Sequence, residues 1–507
     1  MDLWQGLLAC LYWATTWLLI GLLGVVLAYL CYVHYIHLKF DHIPGPPRDS
    51  FLFGHGPSLQ RSMEDYKLIH DKFLEWSEKY GPVVRLNVFH RVSIIVTHPE
   101  AIKEFLMSPK YPKDPYTYDL LFNLFGKRFL GRGLLTDTDH RHWYMQRRVM
   151  DPSFSHSYLV GLMDVFNEKA EHLMEKLSEL SDGETPVGMH SKLNCVTLEV
   201  ITSVAFGMQL NLLDGAQSPF PHAISMILRG ISQYVQNPYM QYMPQHRTFV
   251  KEVWDSLELL RSTGKRCIEE RKRAVKNGED VPKDILTYIL KSAEQEGEYD
   301  DDLMLDNFIT FFIAGQETTA NLIAFVIMEL TRQPEIRKRL QAEVDEVVGL
   351  KSDVTADDIG RLQYMNQVIK ETLRLYPPGP GTSRWLSQEM VIEGIKVPGG
   401  VSVIFNTYTM GRMAKFFDDP LTFDPERFHP NAPKPYYCYF PFTLGPRSCL
   451  GQVFAQMEAK VILSKLLQRF DFQHAPGQTY EIMDTGTLRP RDGAVCILTP
   501  RSESSKG

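Results

Sequence analysis

The chain has 507 residues, of which 44% are hydrophobic and 23% charged, a globular composition rather than a disordered or fibrous one. Its formal charge of −7 argues against a nucleic-acid partner, which calls for a basic face. The cysteines, at 10, 31, 195, 267, 438, 449 and 496, form no CxxC pair, so neither a disulfide framework nor a zinc site is expected.

From Leu3 to Val33 no residue is charged. A bilayer core needs roughly 20 apolar residues in a helix, and a cleavable signal has only about 7–15, so this stretch reads as a membrane span that is retained. Asp2 precedes it while Lys39 and Arg48 follow, which places the remainder on the cytoplasmic side. Residues 1–41 are therefore expected to be a transmembrane anchor. The segment 42–48, with Ile43-Pro44-Gly45-Pro46-Pro47, is expected to be a stiff non-helical hinge, because proline fixes φ and removes a backbone donor.

Val83 to Asn87 and Val92 to Thr97 are β-rich runs around a short connection, a hairpin signal. Helical periodicity dominates from about 137 to 350, with Gly, Pro and Asn breaks near 183–186, 214–221, 237–244 and 276–282. Beyond Tyr376 prolines recur and short strands are expected, before a last helix over about 451–469. The expected fold is mainly α with a small segregated β component. No compositional break follows residue 48, so 49–500 reads as one domain and 501–507 as a flexible tail.

The strongest chemical signal is Phe442-Thr-Leu-Gly445-Pro-Arg447-Ser-Cys449-Leu-Gly451. A thiolate that ligates porphyrin iron needs one cysteine on a rigid turn, backbone amides aimed at its sulfur and a cation for the propionates. Gly445 and Gly451 permit the turn, Phe442 can shield the sulfur, and Arg447 can bond a propionate. A helix starting near Leu450 would point its positive end at the thiolate. A lone cysteine is more often a small buried hydrophobe. Five specified residues in this frame, at on the order of 1/20 each, arise by chance in fewer than about one in a thousand such chains.

A second constellation is Ala314-Gly315-Gln316-Glu317-Thr318-Thr319, in an apolar helix. The small residues leave room beside the backbone, and a threonine hydroxyl can bond the carbonyl one turn back. A groove for dioxygen would result, with Thr318 as donor and Glu317 linking to solvent protons. Alone, a packing contact between buried helices explains it equally well.

These segments resemble the haem-binding loop and the oxygen-activating helix of the cytochrome P450 superfamily, and the resemblance implies that family's fold. It further implies haem b, iron protoporphyrin IX, with Cys449 as axial metal ligand, and Trp143, Arg147 and Arg384 as additional propionate partners. Glu371, Arg374 and Arg427 match a buried structural triad. Substrate would displace water, and two electrons and two protons, relayed by Thr318 and Glu317, would cleave the O–O bond of O2. The sequence shows no G-x-G-x-x-G and no P-loop, so electrons must come from a partner, by resemblance NADPH–cytochrome P450 reductase. Arg141, Arg147 and Arg148 are basic candidates for its docking. The implied location is the endoplasmic reticulum membrane, single-pass, among membrane lipid.

Within the superfamily the chain looks most like sterol 24-hydroxylases. The likeness rests on His42-Ile-Pro-Gly-Pro-Pro-Arg48, Lys79-Tyr-Gly-Pro-Val-Val-Arg85, Asn87-Val-Phe-His90, Phe166-Asn-Glu-Lys-Ala-Glu171, Gly360-Arg-Leu-Gln-Tyr364 and Ala432-Pro-Lys-Pro435. It implies cholesterol as substrate and a pocket wall of Tyr118, Leu121, Leu130, Leu135, Ala314 and Thr487. Gly379-Pro-Gly-Thr-Ser383 departs from the pattern by lacking bulky aromatics, and Phe220 to Val250 diverges too. Alternatives are a monooxygenase of another steroid, a fatty acid or a xenobiotic, and a haem-thiolate isomerase that needs no reductase. The acid–Thr pair speaks against the isomerase, and Ala314 stands where some fatty-acid hydroxylases carry a haem-linking Glu.

Overall fold

The structure is a computed structural model that describes residues 2–64, 68–296 and 300–501; the tail expected at 502–507 lies outside them. The first helix, Asp2–Phe40, is almost wholly exposed from Trp4 to Tyr32 and becomes buried on one side at Val33, His37 and Phe40. It is long and apolar enough to cross a membrane.

The proline segment is not a free spacer. The Arg85 amide donates to the Pro44 carbonyl (2.8 Å), the Arg85 guanidinium reaches Asp41 at 3.0 Å, and a Cβ on Gly45 would meet the Arg85 carbonyl at 2.9 Å. Residues 41–46 thus run along the strand Val83–Val88. Prolines that cannot donate still accept, and the strand's outer edge uses those carbonyls.

That strand opens a four-stranded sheet in the order Val83–Val88, Arg91–Val96, Val401–Asn406, Gly381–Leu386. The first pair is the expected hairpin, antiparallel with Arg85 opposite Ile94. The next contact is parallel, Ser93 opposite Ser402, and the last antiparallel, Arg384 opposite Val403. A smaller sheet joins Pro186–Gly188, Val495–Pro500 and Phe470–His474.

Helices form the bulk of the body, around the central helix Asp301–Arg332. By composition it too could cross a membrane, but it is mostly buried, which identifies a core element of a large domain. It packs against Met189–Phe206, Gln363–Leu375 and Gln452–Arg469, and a single apolar cluster continues through all four. The Gln363–Leu375 helix carries Glu371 and Arg374, paired at 2.7 Å with neither side chain exposed. Arg427 approaches the same carboxylate at 3.4 Å, so the triad inferred from resemblance assembles and ties this helix to the irregular segment after residue 411.

Candidate active site

The segment before the last helix makes a short turn at Gly445–Arg447. Gly445 has φ +68, and a Cβ there would lie 2.3 Å from the Leu106 carbonyl oxygen, so only glycine lets the loop pass this close. The Cys449 amide donates to the Phe442 carbonyl at 2.9 Å. Gly451 precedes the helix Gln452–Arg469, and its N–H donates to the Cys449 sulfur. The cysteine therefore stands on a hydrogen-bonded turn at the positive end of a helix. Its thiol is open to a cavity while surrounded by protein. Burial pushes the thiol up, and the Gly451 amide and the charges of Arg147 and Lys113 pull the other way.

The cavity, of about 390 Å³, lies between this loop and the central helix, with Ala314, Gly315, Thr318 and Thr319 on the opposite wall. Thr318 Oγ1 donates to the Ala314 carbonyl at 2.9 Å, the back-bond expected from sequence. Of the expected substrate wall, Tyr118, Leu135 and Ala314 line this cavity; Leu121, Leu130 and Thr487 do not. Leu130 is buried core and Leu121 packs against that core.

Thr487 has a different task. Its hydroxyl lies 3.3 Å from Glu317 Oε1 and receives the Asn321 amide at 3.0 Å. Asn321 in turn accepts from His190 across 2.7 Å, His190 is bonded by Asn194, and Asn194 by Gln316. Glu317 adjoins this run. It is buried, outside the cavity lining, at the end of this polar run, and burial pushes its carboxyl up against Arg489 and its two hydrogen-bond donors. Burial also lowers His190 to about 4, so its ring is neutral near pH 7.

Cations gather at one end of the cavity. Arg447 lies over the Trp143 ring, 4.0 Å from its centre, and donates through Nη1 to the Asp137 carbonyl. Arg384 is buried behind the lining, bonding the lining residue Thr382 at 2.9 Å. Each retains a buried Nη2 with no partner among the described residues. Lys113, which sequence reasoning missed, lines the same space, gives one hydrogen bond to the Leu135 carbonyl (2.6 Å) and sits 4.3 Å from the Tyr118 ring centre. Burial, then repulsion from Arg384 and Arg447, pushes its ammonium well down; burial and Arg384 lower Arg447 to about 10. No carboxylate lines the cavity among the described residues. Cations with orphaned donors and no carboxylate in the described lining fit a dianion such as the two propionates of a haem.

Arg147 and Trp143, expected as propionate partners, both line the cavity. Arg147 also donates to the Ser448 carbonyl at 2.8 Å and pairs with Asp151, so it braces the cysteine loop and is not a free docking base. Arg141 is exposed at the start of the same helix.

A second missed group is Asp306, near the start of the central helix. Its carboxylate, with no side-chain exposure, accepts from Arg128 at 3.0 and 2.6 Å, Arg261 at 3.0 Å and the Arg132 amide at 2.9 Å. Beside it, Asn307 accepts the Leu134 amide at 2.8 Å. Together they staple residues 128–134 over the cavity. A charged residue inside an otherwise apolar helix was the available signal.

A family model described as cytochrome P450 matches residues 44–497. Among curated relatives, cytochrome P450 4d2 of Drosophila melanogaster is 29% identical over 91% of this chain and 94% of its own. Cytochrome P450 3A41 of Mus musculus is 28% identical over 96% and 97%, and cytochrome P450 4V2 of Homo sapiens 29% over 84% of each. These names come from other branches than the sterol 24-hydroxylases. They carry the family and not the sterol assignment.

Proposed function

The chain belongs to the cytochrome P450 family of monooxygenases, and from that premise we propose that it inserts one atom of O2 into a C–H bond of a large hydrophobic substrate while anchored in a membrane. One observation carries this: Lys113 and Arg447, with no carboxylate among the lining residues described, line the cavity that Cys449 and Thr318 face from opposite walls, and buried Arg384 stands behind its lining residue Thr382.

In this reading Cys449 ligates the iron of haem b, and Lys113, Arg384 and Arg447 hold its propionates. The haem, when bound, supplies oxygen activation through an iron–thiolate bond. The chain does the rest. The Gly451 amide stabilises negative charge on Sγ, and Phe442 covers the loop. Thr318 donates its proton to the Ala314 carbonyl and lines the cavity. Glu317, whose carboxyl burial pushes up, is the acid assigned to the proton supply of Thr318, and Thr487 and Asn321 hold it in place. The apolar lining fixes the substrate and excludes water. The Glu317–Thr318 pair favours oxygen activation over isomerisation.

The finer reading is side-chain hydroxylation of cholesterol at carbon 24. It is supported by the segments outside the haem chemistry, from His42–Arg48 to Ala432–Pro435. The anchor sets the catalytic body on the cytoplasmic face of the endoplasmic reticulum, where a reductase delivers electrons. The test is reconstitution of the full chain with NADPH–cytochrome P450 reductase and NADPH, with cholesterol and a panel of fatty acids as substrates and mass spectrometry of products. Hydroxylation of no hydrophobic substrate refutes the monooxygenase; hydroxylated fatty acid without hydroxycholesterol refutes only the sterol. Thr318→Ala is expected to keep consuming NADPH while releasing peroxide in place of product.

A further inference from the structure

A second cavity, of about 430 Å³, lies where the N-terminal helix meets the sheet. Its walls include Ile36, Lys39 and Phe40 from the helix, His90 and Arg91 from the hairpin turn, and Tyr116 from the helix Pro115–Phe122. Nothing in the oxygenation chemistry uses it. We propose that it binds the phosphate headgroup of an anionic membrane glycerophospholipid, with the upper acyl chain lying along the exposed face of the N-terminal helix.

Three observations support that occupant. The first is depth. The helix is almost wholly exposed from Trp4 to Tyr32, and at about 1.5 Å per residue this stretch rises roughly 42 Å. A bilayer with both headgroup layers is about 40–45 Å thick. The cavity begins where the exposed stretch ends, at headgroup level on the catalytic side. Tyr29, exposed just before it, and Tyr32, exposed at its rim, match the aromatic belt of a membrane interface.

The second is charge. Lys39 and Arg91 are exposed, and neither belongs to an ion pair among the described residues. Arg91 is poised 4.5 Å over the Tyr116 ring centre, and His90 is fixed by the Tyr29 hydroxyl at 3.1 Å. The one acid in the wall, Asp114, is already engaged: its carboxylate caps its own helix through the amides of Tyr116 and Thr117, at 3.1 Å each. The site offers two unpaired cations against one carboxylate committed to a helix cap, and a guanidinium matches paired phosphate oxygens. The third is the mixed lining. Ile36, Phe40, Leu86, Val88 and Val92 face the same space, which suits a glycerol backbone and the first acyl carbons better than a free ion.

The inference rests on the anchor reading above, and the experiment separates the two. Full-length chain is incorporated into vesicles of phosphatidylcholine doped with phosphatidylserine, extracted gently, and its retained lipid counted by native mass spectrometry. A surface cation contributes about fivefold to anionic-lipid affinity, so Lys39→Gln/Arg91→Gln is expected to lose about 25-fold in retained phosphatidylserine. Retained phosphatidylcholine stays unchanged, and Lys251→Gln/Lys265→Gln, outside the cavity wall, behaves as wild type. Equal loss in both double variants, no loss in the first, or displacement of the lipid by inorganic phosphate overturns the proposal. Every variant is expected to float with vesicles and to keep the thiolate-type carbon-monoxide band. Loss of flotation in the unsubstituted chain indicts the anchor rather than the cavity.

Discussion

Asp306→Asn keeps the shape of the side chain and removes its charge. The Arg261 pair and the Arg132 amide bond fall on a carboxylate that is itself fully buried, and hydrogen bonds to a charged group contribute about 1.5–3 kcal/mol each. The Arg128 side chain is 37% exposed, so solvent screening reduces its pair to about 1 kcal/mol or less. Asparagine retains one acceptor, but its NH2 faces a guanidinium, so the net loss is about 3–4 kcal/mol. For a body of about 450 residues the unfolding entropy is roughly 0.95 kcal/mol/K, so the midpoint should fall by about 3–4 °C. The assay is thermal unfolding of the haem-loaded chain at a fixed scan rate, with Arg261→Met and the double variant completing a cycle. The double variant should fall short of the summed single shifts by about 1 °C or more. An unshifted midpoint for Asp306→Asn, or strictly additive shifts, would refute a charge-assisted staple. Residues 130–135 carry Leu135 and the carbonyl that holds Lys113, so the same variant is expected to weaken substrate binding.

Lys113→Met leaves Arg384 and Arg447 to hold the propionates alone, and haem transfer to an acceptor apoprotein should quicken by about 10–100-fold; an unaltered rate removes Lys113 from the haem site. Gly379 lines the cavity, and a Cβ built on it meets no atom within 4 Å. Gly379→Leu should therefore fold normally and weaken a sterol-sized ligand by roughly tenfold or more, with a small imidazole still binding; equal binding of both ligands would place residue 379 away from the substrate. Glu458 is buried with both carboxyl oxygens lacking partners among the described residues, and burial pushes it well above the ordinary 4.5. The native state then holds a proton that the unfolded chain releases, so this group's contribution is complete below about pH 4.5 and declines as pH rises towards the folded value. Glu458→Gln should flatten the fall in unfolding midpoint between about pH 5 and pH 8, and a parallel pair of curves would show that the carboxyl is partnered.

Some of this was legible before any coordinates. The hairpin at residues 83–96, the helical body and the last helix follow from periodicity, a local property that each segment carries by itself. The cysteine turn was legible because Gly445, Arg447, Cys449 and Gly451 lie within one short stretch, as do Ala314 to Thr319. The proline segment was half legible: its lack of helix follows from φ, but its attachment to the Arg85 strand depends on a neighbour about 40 residues away.

What the tertiary structure decided is everything that needs distant residues to meet. Lys113 carries no local mark, and only the approach of Arg384 and Arg447 makes it part of a cation cluster. Thr487 was placed on the substrate wall by resemblance; packing turns its hydroxyl to Glu317, because a buried acid there requires donors. Arg147, one of several similar arginines in sequence, is fixed by the Ser448 carbonyl. The sequence by itself determined which segments are helix, strand or turn and which residues can do chemistry. Partnership, burial and charge balance came with the fold, because those energies depend on distance through space, which spacing along the chain does not encode.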